Sequence, residues 1–180
     1  MANDFWTSTQ VEPKRKYRFT VEITGTGEVG VLWFAKGVNK PEITVESQEH
    51  SYLNHKFHFP GTVTWNEVSV TLVDPVSPDA AKITAEMLTE SGYAGPSQLK
   101  SSTPATISKS RAASAVGRVI ITQIDADGNP LEKWTLKNAF IVKVAYGELE
   151  YGDDALSEVT IDFKYDWAEL QAGRDGYWKN

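Results

Sequence analysis

The strictest feature of this sequence is an alternation of apolar and polar residues near its C-terminal end. Every second position holds an apolar residue: Val159, Ile161, Phe163, Tyr165 and Trp167. The positions between them are polar, and more of them are acidic than basic. Because successive side chains of a β-strand point to opposite faces, this pattern predicts a strand with one buried face and one polar face.

The same two-residue period recurs in other segments, so the chain is predicted to be mainly β. It is clear at 68–72, where Val68, Val70 and Leu72 alternate with Ser69 and Thr71. Stretches rich in Gly, Asp, Asn and Pro separate these segments, as expected for turns. Strands are expected over 17–24, 29–35, 42–49, 51–58, 68–72, 119–125, 131–137, 140–146 and 158–167.

Only one segment predicts an α-helix. Ser77 stands where an N-cap belongs, Pro78 takes the first helical position, and Gly92 suits the C-terminal end. Apolar residues at 83, 87 and 88 share one helical stripe. Earlier in the chain, Phe59–Thr62 predicts a tight turn, because its proline fixes one backbone angle and its glycine accepts a positive one.

Composition excludes several classes of function. The 180 residues suffice for one domain with a core, and a formal net charge of −6 argues against a protein that grips nucleic-acid phosphates. Nucleic acid could still slide past an acidic surface, because like charges repel. The absence of cysteine excludes disulfides, thiol catalysis and thiolate metal sites. We expect synthesis in a cytoplasm and no membrane anchor, because the sequence contains neither a secretion signal nor a long apolar run.

The chain divides into an N-terminal arm, 1–14, a single domain, 15–170, and a C-terminal tail, 171–180. Within the domain, 42–57 predicts a hairpin that projects from the core, because both of its faces are polar. The alternative is a solvated surface hairpin. The segment 93–117 has no clear period and predicts a long loop, whose basic residues suit contact with an acidic neighbouring surface.

No pattern predicts catalysis, a cofactor or a metal site, so we expect the protein not to be an enzyme. His55 and His58 are three residues apart, which places them on opposite faces of a strand and disfavours a shared metal. His50 lies in the same hairpin. The string Asp125–Asn129 lacks the spacing and the closing glutamate of a calcium loop, so a plain turn is expected. A phosphate-binding glycine loop and a nucleophile elbow are both missing from the sequence.

Two stretches resemble the tail tube proteins of contractile-tailed bacteriophages. The first, 57–74, reads F-x-F-x-G-x-x-x-W-x-x-V-x-V-x-L-x-D. The second, 138–166, contains Gly147-Glu148-Leu149 and ends in T-I-x-F-x-Y-D, from Thr160 to Asp166. The resemblance covers roughly 15–168, and related tubes occur in R-type bacteriocins, extracellular contractile injection systems and type VI secretion.

The resemblance implies two packed antiparallel sheets, forming a β-sandwich or barrel, with one helix at the side. It implies that six copies form a ring, that the inner sheets of a ring join into one barrel, and that rings stack into a hollow tube. DNA would pass through the bore without specific binding. The implied partners are further copies of the chain and the sheath, baseplate or tail-tip, tape-measure and tail-terminator proteins. The implied location is the virion, after synthesis in the cytoplasm of the host bacterium.

Combined with the alternation, the resemblance assigns three groups of residues to surfaces. The lumen would be lined by polar residues of the last strand together with those of the first strand or of 68–72: Glu158, Thr160, Asp162 and Asp166, with Arg18, Thr20 and Glu22 or Ser69 and Thr71. The hairpin would contact the next ring through Glu42, Thr44, Glu46, Gln48, Glu49, Tyr52, Asn54 and Lys56. The basic residues Lys100, Lys109 and Arg111 would meet acidic partners between subunits or rings.

Two other functions are compatible with the sequence. One is the inner tube protein of a bacterial contractile injection system, which the sequence hardly distinguishes from a phage tube. The other is a monomeric β-sandwich that binds a ligand such as a carbohydrate through exposed Trp and Tyr side chains. Because Trp65, Trp134 and Trp167 lie in alternating strands, most of them are expected in the core, which disfavours the binding module.

Overall fold

The structure is a computed structural model that describes residues 13–25, 34–96, 106–152, 154–172 and 175–177. In these ranges no helix has the length and apolar character needed to cross a membrane. The helices are α1 (Ala80–Glu90) and α2 (Lys109–Val116). The strands are β1 (Phe19–Ile23), β2 (Ala35–Val38), β3 (Ile43–Tyr52), β4 (His55–Trp65), β5 (Val68–Val73), β6 (Val119–Ile124), β7 (Pro130–Lys137), β8 (Phe140–Ala145), β9 (Glu158–Lys164), β10 (Trp167–Ala172) and β11 (Asp175–Tyr177).

The strands form two main antiparallel sheets and one separate hairpin. The first sheet has the order β1-β6-β7-β10-β11, the second has the order β2-β5-β9-β8, and β3 pairs with β4 alone. Buried side chains from both main sheets belong to a single hydrophobic cluster, so the two sheets pack face to face around one core. This confirms the prediction of a mainly β chain built from two packed antiparallel sheets.

The neighbouring strands β5 and β9 form the centre of the second sheet. Their register places Val70 opposite Ile161 and Leu72 opposite Val159, and all four side chains are buried. The residues between them remain half-exposed on the other face of the sheet. The alternation in the sequence therefore corresponds to the division between core and surface, because both strands keep a strict two-residue period.

Helix α1 begins two residues later than the sequence predicts. Its N-cap is Asp79, whose carboxylate accepts a hydrogen bond from Lys82 N at 2.8 Å, and Asp74 accepts from Ala80 N at 3.0 Å. These carboxylates satisfy N–H groups of the first turn better than a hydroxyl, so Ser77 and Pro78 stay outside the helix. Ser91 is the C-cap, and Gly92 follows it with φ +104.

A second helix lies within the segment predicted to be a long loop, so the predictions of a loop over 93–117 and of a single helix are wrong at 109–116. Ser108 caps α2 by accepting a hydrogen bond from Arg111 N, and its buried residues are Ala112, Ala115 and Val116. Such small side chains give almost no apolar stripe, which explains why the helical period is hard to see. Residues 97–105 lie outside the described residues.

The separate hairpin is longer than predicted, because Phe59–Thr62 is part of β4 and does not form a turn. A register shift between Val45 and Ser47 marks a bulge, in which Gly61 and Thr62 of β4 lie opposite Glu46 alone. A Cβ at Gly61 would lie 3.2 Å from the carbonyl oxygen of Glu46, so glycine suits this close approach. Proline is tolerated here because a two-stranded sheet consists of edge strands. The chain actually reverses at Leu53, with φ +53.

Several strand ends also differ from the predictions. β9 ends at Lys164, so the alternation breaks before Trp167, which begins β10 and is 38% exposed. β1 begins at Phe19, which leaves Tyr17 exposed. The strand predicted over 29–35 lies mostly outside the described residues, and β2 instead covers Ala35–Val38. Trp134 is buried and Trp65 packs against the core, as expected for most of the tryptophans.

Placing a charge in the centre of the core should unfold the domain. Val70→Asp or Ile161→Asp would bury an unpaired carboxylate, so we expect each to lower the free energy of unfolding by several kcal/mol, about as much as the total stability of a domain. Urea denaturation followed by circular dichroism measures the change. Thr64→Asp, on the exposed hairpin, is the matched control and should leave the midpoint almost unchanged. Equal effects of core and control variants would contradict this description of the core.

Candidate functional site

The outer face of the four-stranded sheet is mainly polar along its central strands β5 and β9, although Val73, Phe140 and Ala145 also point to this side. The register brings Ser69 opposite Asp162 and Thr71 opposite Thr160, so residues predicted from two separate segments lie side by side. Ser69 donates a hydrogen bond to Asp162 Oδ1 at 2.5 Å, and the hydroxyls of Thr71 and Thr160 are 3.4 Å apart. We call this surface, formed by the outward residues of β2, β5, β9 and β8, the polar sheet face.

Lysines neutralise the carboxylates of the polar sheet face. Lys36 bonds to Glu158, Lys143 Nζ lies 4.0 Å from Asp162 Oδ2, and Lys164 Nζ lies 3.6 Å from Glu67 Oε1. Strand β9 is acidic when read alone, as the sequence suggests. The compensating charges come from Lys143 on the adjacent strand β8 and from Lys36 on β2, which lies beyond β5, so they become visible only once the strand order is known.

The alternative set of lumen candidates lies on the other sheet. Thr20 and Glu22 belong to β1, whose buried residues Val21 and Ile23 point into the core. The outward faces of two packed sheets point in opposite directions, so β1 and the polar sheet face are different surfaces. Arg18 precedes β1 and stacks over the ring of Tyr17, with 5.6 Å between the guanidinium carbon and the ring centroid.

Asp166 lies beyond the end of β9 and does not continue the row of Glu158, Thr160 and Asp162. Its carboxylate accepts hydrogen bonds from Lys109 Nζ, at 2.8 Å to each oxygen, and from Asn138 Nδ2 at 2.7 Å. These hydrogen bonds lower the pKa of Asp166. A residue predicted for the lumen and one predicted for subunit contacts thus bind each other within one chain.

The three basic residues predicted for contacts between subunits or rings differ in their surroundings. Arg111 is exposed on α2, and its intersubunit contact stays a prediction. Lys109 is occupied by Asp166. Lys100 lies outside the described residues.

The hairpin exposes nearly its whole surface. Every residue of β3 and β4 is exposed except Trp65. Its base is held by the backbone bond from Asn66 N to Glu42 O, by the bond from Asn66 Nδ2 to Thr44 Oγ1, both 3.0 Å, and by Trp65 packing on Tyr165. The remaining predicted contact residues, Glu46, Gln48, Glu49, Tyr52, Asn54 and Lys56, extend from this base into solvent.

The three histidines lie on this hairpin. His55 is paired with Tyr52 and His58 with Glu49, so their side chains are on opposite faces. Across the described ranges, no group of three or more His, Asp or Glu side chains is arranged to hold a metal ion.

A groove opens between β2 and the first sheet. Its volume is about 470 Å³, and Phe19, Val38, Ile121 and Trp134 form an apolar floor. Lys16, Lys36 and Lys40 form its rim. We call it the lysine-rimmed groove. The groove is not recognisable in the sequence, because its walls come from four segments that only the fold brings together.

Glu132 fixes one end of this groove and was also missed. It accepts hydrogen bonds from Lys14 Nζ at 2.5 Å, Lys40 Nζ at 2.9 Å and Trp134 Nε1 at 2.5 Å. Burial alone would raise the pKa of Glu132, but these hydrogen bonds outweigh burial and lower its pKa to about 2. One feature of the sequence could have identified Glu132: it lies two residues before Trp134 and four before Leu136, so it belongs to the buried face of β7.

The sequence matches no family model, and no curated protein matches it significantly. Solved structures do share its fold. A chain of the 6-fold symmetrised anti-feeding prophage baseplate superposes with a TM-score of 0.66 and 15% identity, covering 90% of this chain and 97% of its own. A chain of the sheath–tube complex of PVC, an extracellular contractile injection system, superposes with a TM-score of 0.63 and 17% identity. The match covers 93% of this chain and 99% of its own.

Two further structures agree with this likeness. A chain of the anti-feeding prophage tube-terminating cap gives a TM-score of 0.65 and 14% identity over 96% of this chain and all of its own. Hcp1 from Salmonella typhimurium superposes with a TM-score of 0.50 and 9% identity, covering 88% of this chain and 87% of its own. These neighbours are structural components of contractile injection systems and not enzymes, and their fold is the fold of this chain.

Stability should fall in acid because of Glu132. A carboxylate with a depressed pKa stabilises the fold above its unfolded value, and the stabilisation disappears as pH falls from about 4.5 towards 2. We expect Glu132→Gln to lose on the order of 3 kcal/mol at pH 7 and to approach the wild type near pH 2. Urea midpoints measured from pH 7 to pH 2 test this. Glu169→Gln, which removes a half-exposed ion pair with Lys137, should show a much smaller effect at every pH.

Proposed function

We propose that this chain is the repeating subunit of a contractile tail tube, in which six copies form a ring and rings stack around a central channel. The observation that carries the proposal is the fold, shared over at least nine-tenths of the chain with components of tube-bearing contractile particles. In the bacteriophage form of the proposal, DNA passes through the channel during ejection, and the assembled protein is part of the virion.

Ring formation would use the open edges of the four-stranded sheet. Its edge strands are β2 and β8, and neither has a second partner strand among the described residues. Val142 and Lys143 of β8 are exposed. Unpaired edges invite strand pairing, so β8 of one copy could join β2 of the next and extend the sheet around a ring. A closed ring of sheets removes all such edges.

The polar sheet face would line the channel. It is the outward side of the sheet that closure would make continuous, and its lysines already have carboxylate partners. Paired lysines offer phosphates no free cation, so DNA could pass without being held. The predicted lumen residues on this face are Ser69, Thr71, Glu158, Thr160 and Asp162.

The hairpin would join one ring to the next. Its strands hold together through β3–β4 pairing and gain no burial from their own domain, so burial must come from another molecule. Sheath, baseplate or tail-tip, tape-measure and tail-terminator proteins would be the further partners of the assembled tube.

A second candidate is the inner tube of a bacterial contractile injection system. It is favoured by the likeness to chains of the anti-feeding prophage and of PVC, which is described as an extracellular contractile injection system. Neighbouring genes distinguish the two candidates, because capsid and terminase genes accompany only a phage.

Negative-stain electron microscopy of the purified protein across a concentration series tests the assembly. Rings or hollow tubes are the expected result. A chain that stays monomeric at every concentration, including in the presence of baseplate components that could nucleate a tube, would contradict the proposal and favour the ligand-binding sandwich.

Shortening the hairpin should prevent stacking and leave the subunit folded. Replacement of residues 46–62 by Asn-Gly keeps the three residue pairs at the base of the hairpin and closes them with a favoured two-residue turn; these pairs are Ile43–Trp65, Thr44–Thr64 and Val45–Val63. We expect rings without long tubes in electron micrographs and an unchanged thermal midpoint. Leu53→Asn, a change in the turn outside the predicted contact residues, is the control and should still give tubes. Long tubes from the shortened variant would show that the hairpin does not stack rings.

Removing the carboxylates of the polar sheet face should make the channel retain DNA. The double variant Glu158→Gln, Asp162→Asn leaves Lys36 and Lys143 without partners in every subunit. We expect assembled rings of this variant to bind a short single-stranded DNA in fluorescence anisotropy, with a steep loss of affinity as salt increases. Glu22→Gln, Glu169→Gln makes the same charge change on the other sheet and should bind far less.

A further inference from the structure

The apolar residues of the hairpin lie on two different faces. Residues paired across the hairpin share a face, and in the outer half Tyr52, Phe57 and Phe59 fall on one side, with His50 and His55. In the inner half, Ile43, Val45 and Val63 fall on the opposite side, because β4 carries an extra residue at the bulge. Phe57 is 45% exposed and Phe59 56% exposed. We call the outer aromatic side the tip face.

The tip face is unusual for a hairpin in solvent. Large aromatic side chains contribute most of the burial in protein interfaces, and aromatic residues are enriched at binding hot spots. Here the rings of His55 and Phe57 pack edge to face, with 4.7 Å between the ring centroids, and both residues remain exposed. The tip face therefore carries apolar area that its own domain does not cover.

The lysine-rimmed groove has the complementary character. Its floor includes the aromatic rings of Phe19 and Trp134, and three lysines surround an opening large enough for side chains. Lysine stems pack against apolar surface while their ammonium groups face aromatic rings favourably. The rim lysines and Lys14 outnumber the two carboxylates that bind them, Glu132 and Glu158.

We propose that the tip face of one copy docks in the lysine-rimmed groove of a second copy. Lys56 binds Glu49 at 2.9 Å on the opposite face of the hairpin, so Glu46 remains as the net negative charge that the two strands bring to a basic rim. Phe57 and Phe59 supply the apolar side chains for the groove floor. The proposal deepens the tube function, because it names the two surfaces that join copies, but it requires only two copies and no tube.

The geometry requires that the two surfaces belong to different molecules. Lys40 lies three residues before the start of β3, so a chain's own groove is next to the base of its hairpin. Ten strand residues place the tip about 30 Å from that base. A tip in one copy and a groove in the next make a head-to-tail contact, which continues from copy to copy and gives a closed ring or a growing stack.

Disulfide trapping between separately labelled chains tests the docking, because the natural chain contains no cysteine. A full-length Phe57→Cys chain is mixed with a full-length Lys16→Cys chain under mild oxidation, and cross-linked dimers are measured on non-reducing gels. We expect the yield of the dimer between Phe57→Cys and Lys16→Cys to be about tenfold higher than the yield of the dimer between Phe57→Cys and Glu86→Cys. Glu86 is an exposed position on α1. Lys56→Cys, on the other face of the same tip, should cross-link poorly to Lys16→Cys.

A second variant tests the contact without cysteines. Phe57→Ser, Phe59→Ser removes two exposed rings, so the subunit should keep its thermal midpoint. The concentration at which copies associate in sedimentation velocity should rise by about tenfold or more. His58→Ser, on the opposite face at the same height, is the matched control and should associate like the wild type.

The outcomes separate this proposal from the tube function. Mixed cross-links without rings or tubes would support the docking and contradict the tube. The opposite result has two parts: the Phe57→Ser, Phe59→Ser variant forms tubes as well as the wild type, and cross-linking to Lys16→Cys is no stronger than to Glu86→Cys. This result would overturn the docking and leave the tube function intact.

Discussion

The fold depends on the pairing of β5 with β9. These central strands contribute Val68, Val70, Leu72, Val159, Ile161 and Phe163 to one side of their sheet, and this side meets the second sheet across the core. Because a one-residue slip of either strand would move its buried residues to the surface, the register is strongly specified by burial. The same register determines the other side, where it places Ser69 beside Asp162 and aligns the threonines. Core and polar sheet face are therefore two results of one constraint.

The sequence predicted this arrangement well where one face of a strand is buried. Alternation identified β1, β5, β8 and β9, and the two segments that form the centre of the polar sheet face were recognised separately. What sequence reasoning could not supply was the partner of each residue. Lys143 enters from the adjacent strand β8 and Lys36 from β2, two strands away, so the charge balance of the surface was invisible in β9 alone. Glu132 likewise acquires its role from Lys14 and Lys40, which are distant in sequence.

The errors have local physical causes. Pro60 and Gly61 normally indicate a turn, but an edge strand with a bulge accommodates both, and the actual reversal at Leu53 contains neither residue. Helix α2 escaped notice because its buried residues are two alanines and a valine, which make almost no apolar stripe. In each case tertiary packing overrode a short-range preference, and the affected segments lie outside the central strand pair.

The pairing of opposite charges on the polar sheet face has a consequence for how far its electric field extends. An isolated row of carboxylates acts as a line of charge, whose potential reaches about one Debye length, roughly 8 Å at physiological salt. Adjacent lysines and carboxylates instead act as small dipoles, whose fields cancel within a few ångströms of the surface. A polymer at the centre of a wide enclosure built from such surfaces would experience almost no potential from the wall. The surface would then influence only what touches it.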